Sequence, residues 1–192
     1  MHLRILFWVQ GWRRNRFSIV RASMDGSSVR TILDVNDIGL GRITRLAVDS
    51  HKIYWIFSNA GRIHRCNFDG TGRELLPLRT AVNSFVLGVF ANSIYWMEWD
   101  DGEKYVVQRG SFSIMTITTV VHVTRHDLHN VIVLPEDGPL QKQSWNPCTG
   151  NRCSHLCVQS SERPEGFACM CDEGFTIHAD GKNCIGSSCS SY

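Results

Sequence analysis

Eight cysteines carry most of the reactive chemistry in this 192-residue chain, and seven of them fall after position 147. In residues 148–184 they run C-x4-C-x3-C-x11-C-x-C-x12-C, through Cys148, Cys153, Cys157, Cys169, Cys171 and Cys184. Thiolate sulfur binds zinc, and Cys153 and Cys157 have the spacing of a ligand pair, but the other four cysteines complete a disulfide pattern instead. Six cysteines allow fifteen pairings, and the spacing leaves all of them open. Dense cysteine in so short a segment points to an oxidising, extracellular compartment. Bridges of about 2–4 kcal/mol each would stand in for a core that so few residues cannot build. Cys66 stands alone between Arg65 and Asn67 in a β-prone run, the setting of a buried small hydrophobe. Cys189 lies in a Gly-Ser-Ser stretch that reads as a tail (185–192) or the start of another module.

Other reactive side chains form no catalytic pattern. There is no Gly-x-Ser-x-Gly elbow, His-Glu-x-x-His pair or phosphate loop, so the sequence argues against an enzyme and calls for no cofactor and no metal. Two segments instead set a large aromatic beside charges: Trp12-Arg13-Arg14-Asn15-Arg16 and Trp99-Asp100-Asp101-Gly102-Glu103. An exposed Trp flanked by Arg or acid is the composition of a protein-interface hot spot. A net charge of +2 offers no electrostatic footprint for nucleic acid. At 43% hydrophobic and 20% charged the chain is globular rather than disordered. No stretch reaches the apolar length of a membrane span, and Met1–Val9 makes an unconvincing signal peptide. A cysteine-rich sequence of this kind reads as an internal piece of a larger secreted or membrane-anchored protein.

The elements that must position these residues are short strands. Ile53–Phe57 is a β-prone run, Ser58–Gly61 breaks it, Arg62–Cys66 resumes, and Asp69-Gly70 turns the chain into Glu74–Leu76. Ile43–Asp49 supplies a strand before them. Four short antiparallel strands in about 40 residues make one blade of a β-propeller. The pattern recurs. Phe7-Trp8 and Tyr95-Trp96 answer Tyr54-Trp55 at spacings of 47 and 41 residues, and Asp25-Gly26 answers Asp69-Gly70, while the third turn has decayed to Gly110-Ser111. Strands are expected near Leu3–Val9, Ser18–Ser23 and Arg30–Leu33 in the first copy. The third copy adds Phe85–Phe90, Ser93–Met97, Tyr105–Gln108 and Met115–Val121, and one more strand follows at Asn130–Leu134.

These aromatic-Trp pairs, Asp-Gly turns and following Arg resemble the YWTD (class B) repeats of the low-density-lipoprotein receptor family. The six cysteines, with Gly166-Phe167 before Cys169-x-Cys171 and Gly174-Phe175 after it, resemble an epidermal-growth-factor-like module. The resemblance implies an all-β chain. Residues 1–135 would be about half of a six-bladed propeller, with repeats near 1–40, 41–80 and 81–125 and a closing strand at 130–134. Residues 136–147 would be a linker and 148–184 the module. An open half-ring of this kind is expected to behave poorly alone.

The resemblance further implies the pairs Cys148–Cys157, Cys153–Cys169 and Cys171–Cys184. It implies no calcium site, because Gln143–Pro147 lacks the acidic cluster of calcium-binding modules. The family's Thr-Asp is Val9-Gln10, Ile56-Phe57 and Met97-Glu98 here, so its polar network is expected to be weakened or replaced by packing. Loops joining the second and third strands of each blade share one face, which would place Trp12, Arg13, Arg14, Arg16, Trp99, Asp100, Asp101 and Glu103 against a ligand. His122, His126 and His129 would sense endosomal acid. Trp145 is expected to pack between the last blade and the module. The implied function is capture of extracellular protein ligands, lipoprotein-like or secreted signalling proteins, with endocytosis by the parent receptor. The chain would then lie on the extracellular face of the membrane, or be secreted, and touch the membrane only through other parts of that parent. A Wnt co-receptor-like ectodomain and a nidogen-like matrix protein are the alternatives.

Overall fold

Alternating apolar residues broken by tight turns produce strands throughout. A computed structural model describes residues 5–12, 16–35, 42–81, 84–100, 104–124 and 146–186. The first sheet joins β1 (Ile5–Trp12), β2 (Arg16–Ser23) and β3 (Arg30–Val35). The second joins β4 (Ile43–Val48), β5 (Lys52–Phe57), β6 (Arg62–Asn67) and β7 (Glu74–Arg79). The third joins β8 (Phe85–Phe90), β9 (Ser93–Asp100), β10 (Lys104–Ser111) and β11 (Ile117–Thr124). Two small hairpins follow, β12 (Leu156–Gln159) with β13 (Phe167–Met170) and β14 (Phe175–Ile177) with β15 (Cys184–Gly186). The expected closing strand, most of the linker and Trp145 lie outside the described residues.

Two compact units result. One gathers Met1–Leu6, Arg21–Arg30 and Leu140–Tyr192, the other Phe7–Val20 and Thr31–Pro139. The larger unit is organised around β5. All five residues from Ile53 to Phe57 are buried, because both faces of this strand meet a neighbouring sheet. Ile53, Trp55 and Phe57 join Ile19, Ile43 and Cys66 on the side of the first sheet. Tyr54 and Ile56 join Ile63, Leu78, Ile94 and Trp96 on the side of the third. Burial on two faces replaces alternation with a continuous apolar run. Cys66 is free and buried, and burial pushes its thiol up.

Turn chemistry follows the sequence in two of three blades. Asn67 C=O accepts from Gly70 N–H at 2.9 Å, Asn67 N–H donates to Thr71 C=O at 2.9 Å, and Gly70 has φ 88°. This is a three-residue hairpin loop that needs a left-handed third residue. Ser23, Gly26 and Ser27 repeat it. A side chain at Gly70 would stand 2.1 Å from the Ile32 carbonyl oxygen of the first sheet, so this glycine also sets how closely the sheets meet. The third turn departs from expectation. Gly110-Ser111 ends β10, and the reversal runs through Phe112–Met115, with Met115 N–H donating to Ser111 C=O at 3.0 Å. Gly110 is needed for space: a Cβ there would lie 2.7 Å from Leu78 Cδ1 and 2.8 Å from Trp96 Cζ3.

In the smaller unit the bridges are Cys148–Cys157, Cys153–Cys169 and Cys171–Cys184, the same pairs that the resemblance implies. Phe167 and Ser160 are buried, and Arg152 lies over the Phe167 ring at 5.6 Å. The β2–β3 turn belongs to this unit: Ser23 Oγ donates to Glu162 Oε1 at 3.4 Å. Burial tends to raise the Asp25 carboxyl, but hydrogen bonds from Ser160 and Ser27 outweigh it and hold the group below its usual range.

Candidate functional site

Topology puts the β1–β2, β5–β6 and β9–β10 connections at equivalent ends of their sheets. The middle one is tied down by backbone hydrogen bonds. Ser58 N–H donates to Arg42 C=O at 2.9 Å, Ala60 N–H to Phe57 C=O at 3.2 Å, and Thr80 N–H to Gly61 C=O at 2.9 Å. Trp12 ends β1 and Arg16 begins β2, while Arg13 and Arg14 lie outside the described residues, as do Asp101 and Glu103.

Trp99 is not a loop residue. β9 continues through it to Asp100, and Trp99 pairs with Tyr105 across β9 and β10. Its ring meets Tyr105 edge-on at 4.7 Å and is 36% exposed. The polar run after it suggests an earlier end to the strand, but alternation carries Tyr95, Met97 and Trp99 along one face while Ile94 and Trp96 pack toward the second sheet. Trp99 thus flanks the connection rather than forming its tip.

Where the polar network is expected to be weakened or replaced by packing, the third blade has one centred on Glu98. Glu98 Oε2 accepts from Trp96 Nε1 at 3.0 Å and from Ala81 N–H at 2.9 Å, and Glu98 Oε1 accepts from Gln108 Nε2 at 3.0 Å. One carboxylate therefore ties two strands of the third sheet to the segment entering it. In the second blade packing has replaced the network, since Phe57 is fully buried at the matching position. The consequence shows at Trp55, the counterpart of Trp96, whose Nε1 is buried without a partner.

His122 lies on β11; His126 and His129 lie outside the described residues. The structure singles out a different histidine that sequence reasoning missed. His64 stacks on Trp55 at 5.7 Å and meets Phe57 edge-on at 5.1 Å, and its Nε2 is buried unpartnered. Burial first, then the positive charges of Arg73 and Arg62, push its pKa down to about 4. The pairing of Trp55 with His64 across β5 and β6 needs the register, which the sequence does not display.

At the opposite end of β5 a cleft of about 460 Å³ opens among the β4–β5 and β8–β9 turns and Phe112. Tyr54 donates to Asp49 Oδ2 at 2.7 Å and stacks on Phe112 at 5.5 Å. Burial, then the Asp49 carboxylate, push the phenol up. Glu74 pairs with Arg65 at 2.7 Å and Lys52 at 3.3 Å. The hydrogen bond from Arg65, then that from Lys52, hold this carboxyl below its usual range. Of the cleft's charged groups, Asp49 is thus engaged by Tyr54, and Lys52 and Arg65 are engaged by Glu74 beyond its lining.

An all-β array of aromatic-Trp repeats, followed by a three-bridge module, defines a partial YWTD-type propeller with a disulfide-rich appendage, built for an extracellular setting. No family model matches the chain. Vitellogenin receptor Yl of Drosophila melanogaster is 28% identical over 183 residues, 94% of this chain. A vitellogenin receptor of Solenopsis invicta is 24% identical over 166 residues, 86% of this chain. The chain spans only 9% of the length of each of these relatives. A YWTD propeller in a crystal structure of a nidogen/laminin complex matches with a TM-score of 0.50 at 23% identity, covering 62% of this chain and 44% of that one. The last likeness concerns the fold. Together with the repeats, these receptor relatives make the chain similar to the low-density-lipoprotein receptor family.

Proposed function

We propose that this chain is a non-catalytic, ligand-binding part of an endocytic receptor ectodomain, which captures a lipoprotein-like secreted protein for internalisation by its parent. The observation that supports this reading is similarity across 94% of the chain to a vitellogenin receptor; a vitellogenin-like protein is accordingly the first ligand class. The proposed contact is the end of the sheets bearing Trp12, Arg13, Arg14 and Arg16 on one connection and Asp100, Asp101 and Glu103 on another, with the Trp99–Tyr105 pair beside them. Opposite charges on two connections at equivalent ends of their sheets favour a partner of complementary pattern and steer its approach.

Biolayer interferometry of the intact chain against purified vitellogenin tests the reading. Binding is expected at neutral pH, weakened at least about tenfold by the paired substitution Arg13→Ala and Arg14→Ala, a loss of about 1.4 kcal/mol. Absence of binding by the unsubstituted chain refutes the ligand class. Binding unchanged in the double variant removes the arginine connection from the site.

A further inference from the structure

The last two strands of the second sheet meet in an uneven register. β6 and β7 pair Arg62 with Arg79 and His64 with Leu75, so Leu76, Pro77 and Leu78 of β7 stand against Ile63 alone. Extra residues on one strand leave ladder positions unpaired and bend that strand. Along this arch lies a pocket of about 250 Å³ lined by Arg62, Leu75, Leu76, Pro77, Leu78 and Arg79. Both arginines are exposed, and like charges directly opposed on neighbouring strands are destabilising. Among the described residues no acid answers them, since Glu74, the acid of β7, pairs with Arg65 and Lys52. β7 is outermost in its sheet, and proline, bulges and charge are the usual means of keeping such an edge from pairing with another chain. Edge protection explains Pro77 and the arch. It does not call for two charges of one sign set face to face.

Two guanidinium groups beside an apolar lining select a ligand that joins a planar anion to an apolar group. Arginine forks match a carboxylate with paired, charge-assisted hydrogen bonds. A sulfated polysaccharide would meet the arginines but has nothing apolar to place on the leucines and proline. A polypeptide has both. In an extended internal segment adjacent side chains point to opposite faces, so an acid and its apolar neighbour do not enter one small pocket together. A C-terminal residue carries its carboxylate and its side chain on a single Cα. We propose that the arch of β7 is a carboxylate site for the C-terminal residue of a partner polypeptide, held between Arg62 and Arg79 with its apolar side chain on Leu75 and Pro77. This site uses none of the residues of the ligand contact proposed above and does not depend on that ligand's identity.

NMR of the arginine Nε–H groups in the intact chain at neutral pH, titrated with small probes, tests it. The signals of Arg62 and Arg79 are expected to shift saturably with N-acetyl-leucine and not with N-acetyl-leucinamide, which lacks the carboxylate. Acetate is expected to bind at least about tenfold more weakly, since it brings no apolar side chain. Arg79→Gln is expected to weaken N-acetyl-leucine by about tenfold or more, through lost hydrogen bonds to a charged group. The same variant is expected to be at least as stable to urea as the parent, because it relieves the opposed charges; this separates loss of the site from loss of the fold. No saturable shift, an equal response to acid and amide, acetate as tight as N-acetyl-leucine, unchanged binding by the variant, or a variant less stable than the parent would each overturn the proposal. So would an internal-sequence probe, N-acetyl-Glu-Gly-Leu-amide, that binds as tightly as N-acetyl-leucine. A heparin hexasaccharide that shifts the same signals at lower concentration would overturn it in favour of a sulfated polysaccharide.

Discussion

Replacing Glu98 by alanine removes the acceptor for three donors at once. The three losses are unequal. Ala81 is exposed and Gln108 is half-buried, so water can serve both once the carboxylate is gone. Trp96 is fully buried, and an indole N–H left there without a partner costs about 1–3 kcal/mol. With the two lesser bonds added, Glu98→Ala is expected to destabilise the chain by about 2–4 kcal/mol, a large share of a domain's total stability. Glu98→Gln is the informative companion. Its carbonyl can still accept from Trp96 and Ala81, and its new amide meets Gln108, which can turn over to offer its oxygen. Thr119, which donates to Gln108 Oε1 at 3.2 Å, then becomes the acceptor, as a hydroxyl can. The whole network survives without its charge, for an expected cost of about 1 kcal/mol. Equilibrium urea unfolding followed by circular dichroism reads both values. An alanine variant within about 0.5 kcal/mol of the parent, or a glutamine variant as damaged as the alanine one, would refute the account.

Gly70→Ala and Gly26→Ala occupy matching turns with φ 88° and 79°, yet only the first would strike a neighbouring backbone. Both should lose about 1–2 kcal/mol for the left-handed conformation, and the excess measured at Gly70 in the same urea assay reports the contact between sheets. Trp96→Phe should cost more than Trp55→Phe, because the first breaks a hydrogen bond and the second removes an N–H that has none; equal losses would contradict the assignment. For His64, a folded pKa of about 4 lies below the unfolded value of about 6.5. Its contribution is therefore present above pH 6.5 and is lost as pH falls toward 4, by up to about 3 kcal/mol. His64→Phe, which keeps the ring between Trp55 and Phe57, should flatten stability across that window, and an NMR titration midpoint near 6.5 would show the assignment to be wrong.

Much of the fold is legible before any coordinates. Aromatic-Trp pairs and two Asp-Gly turns locate the central strands of each sheet, because tight loops demand glycine at one backbone position and central strands demand apolar residues. What escapes the sequence depends on register. Trp99 reads as a loop residue from the acidic run after it, although alternation from Tyr95 and Met97 continues through it. Gly110-Ser111 reads as a worn turn because it stands where Asp-Gly stands elsewhere, whereas its reason is the space taken by Leu78 and Trp96. His64 reads as an ordinary strand residue until its pairing with Trp55 is known.

The two contacts flanking β5 show how one repeat position can follow two chemistries. Two residues after the paired tryptophan, the third blade has Glu98 and the second has Phe57. Where the acid remains, the indole N–H, the entering backbone and a neighbouring strand are tied by directional bonds. Where phenylalanine replaces it, the contact gains a fully buried aromatic ring and leaves the Trp55 N–H unpaired beside His64, which is itself unpaired at Nε2. Burying a large apolar side chain contributes about 1.5–3 kcal/mol, and an orphaned donor costs about 1–3 kcal/mol, so the exchange is close to neutral in stability. It is not neutral in response to acid. The apolar contact holds a histidine that resists protonation, and the seam loses stability as that ring is protonated.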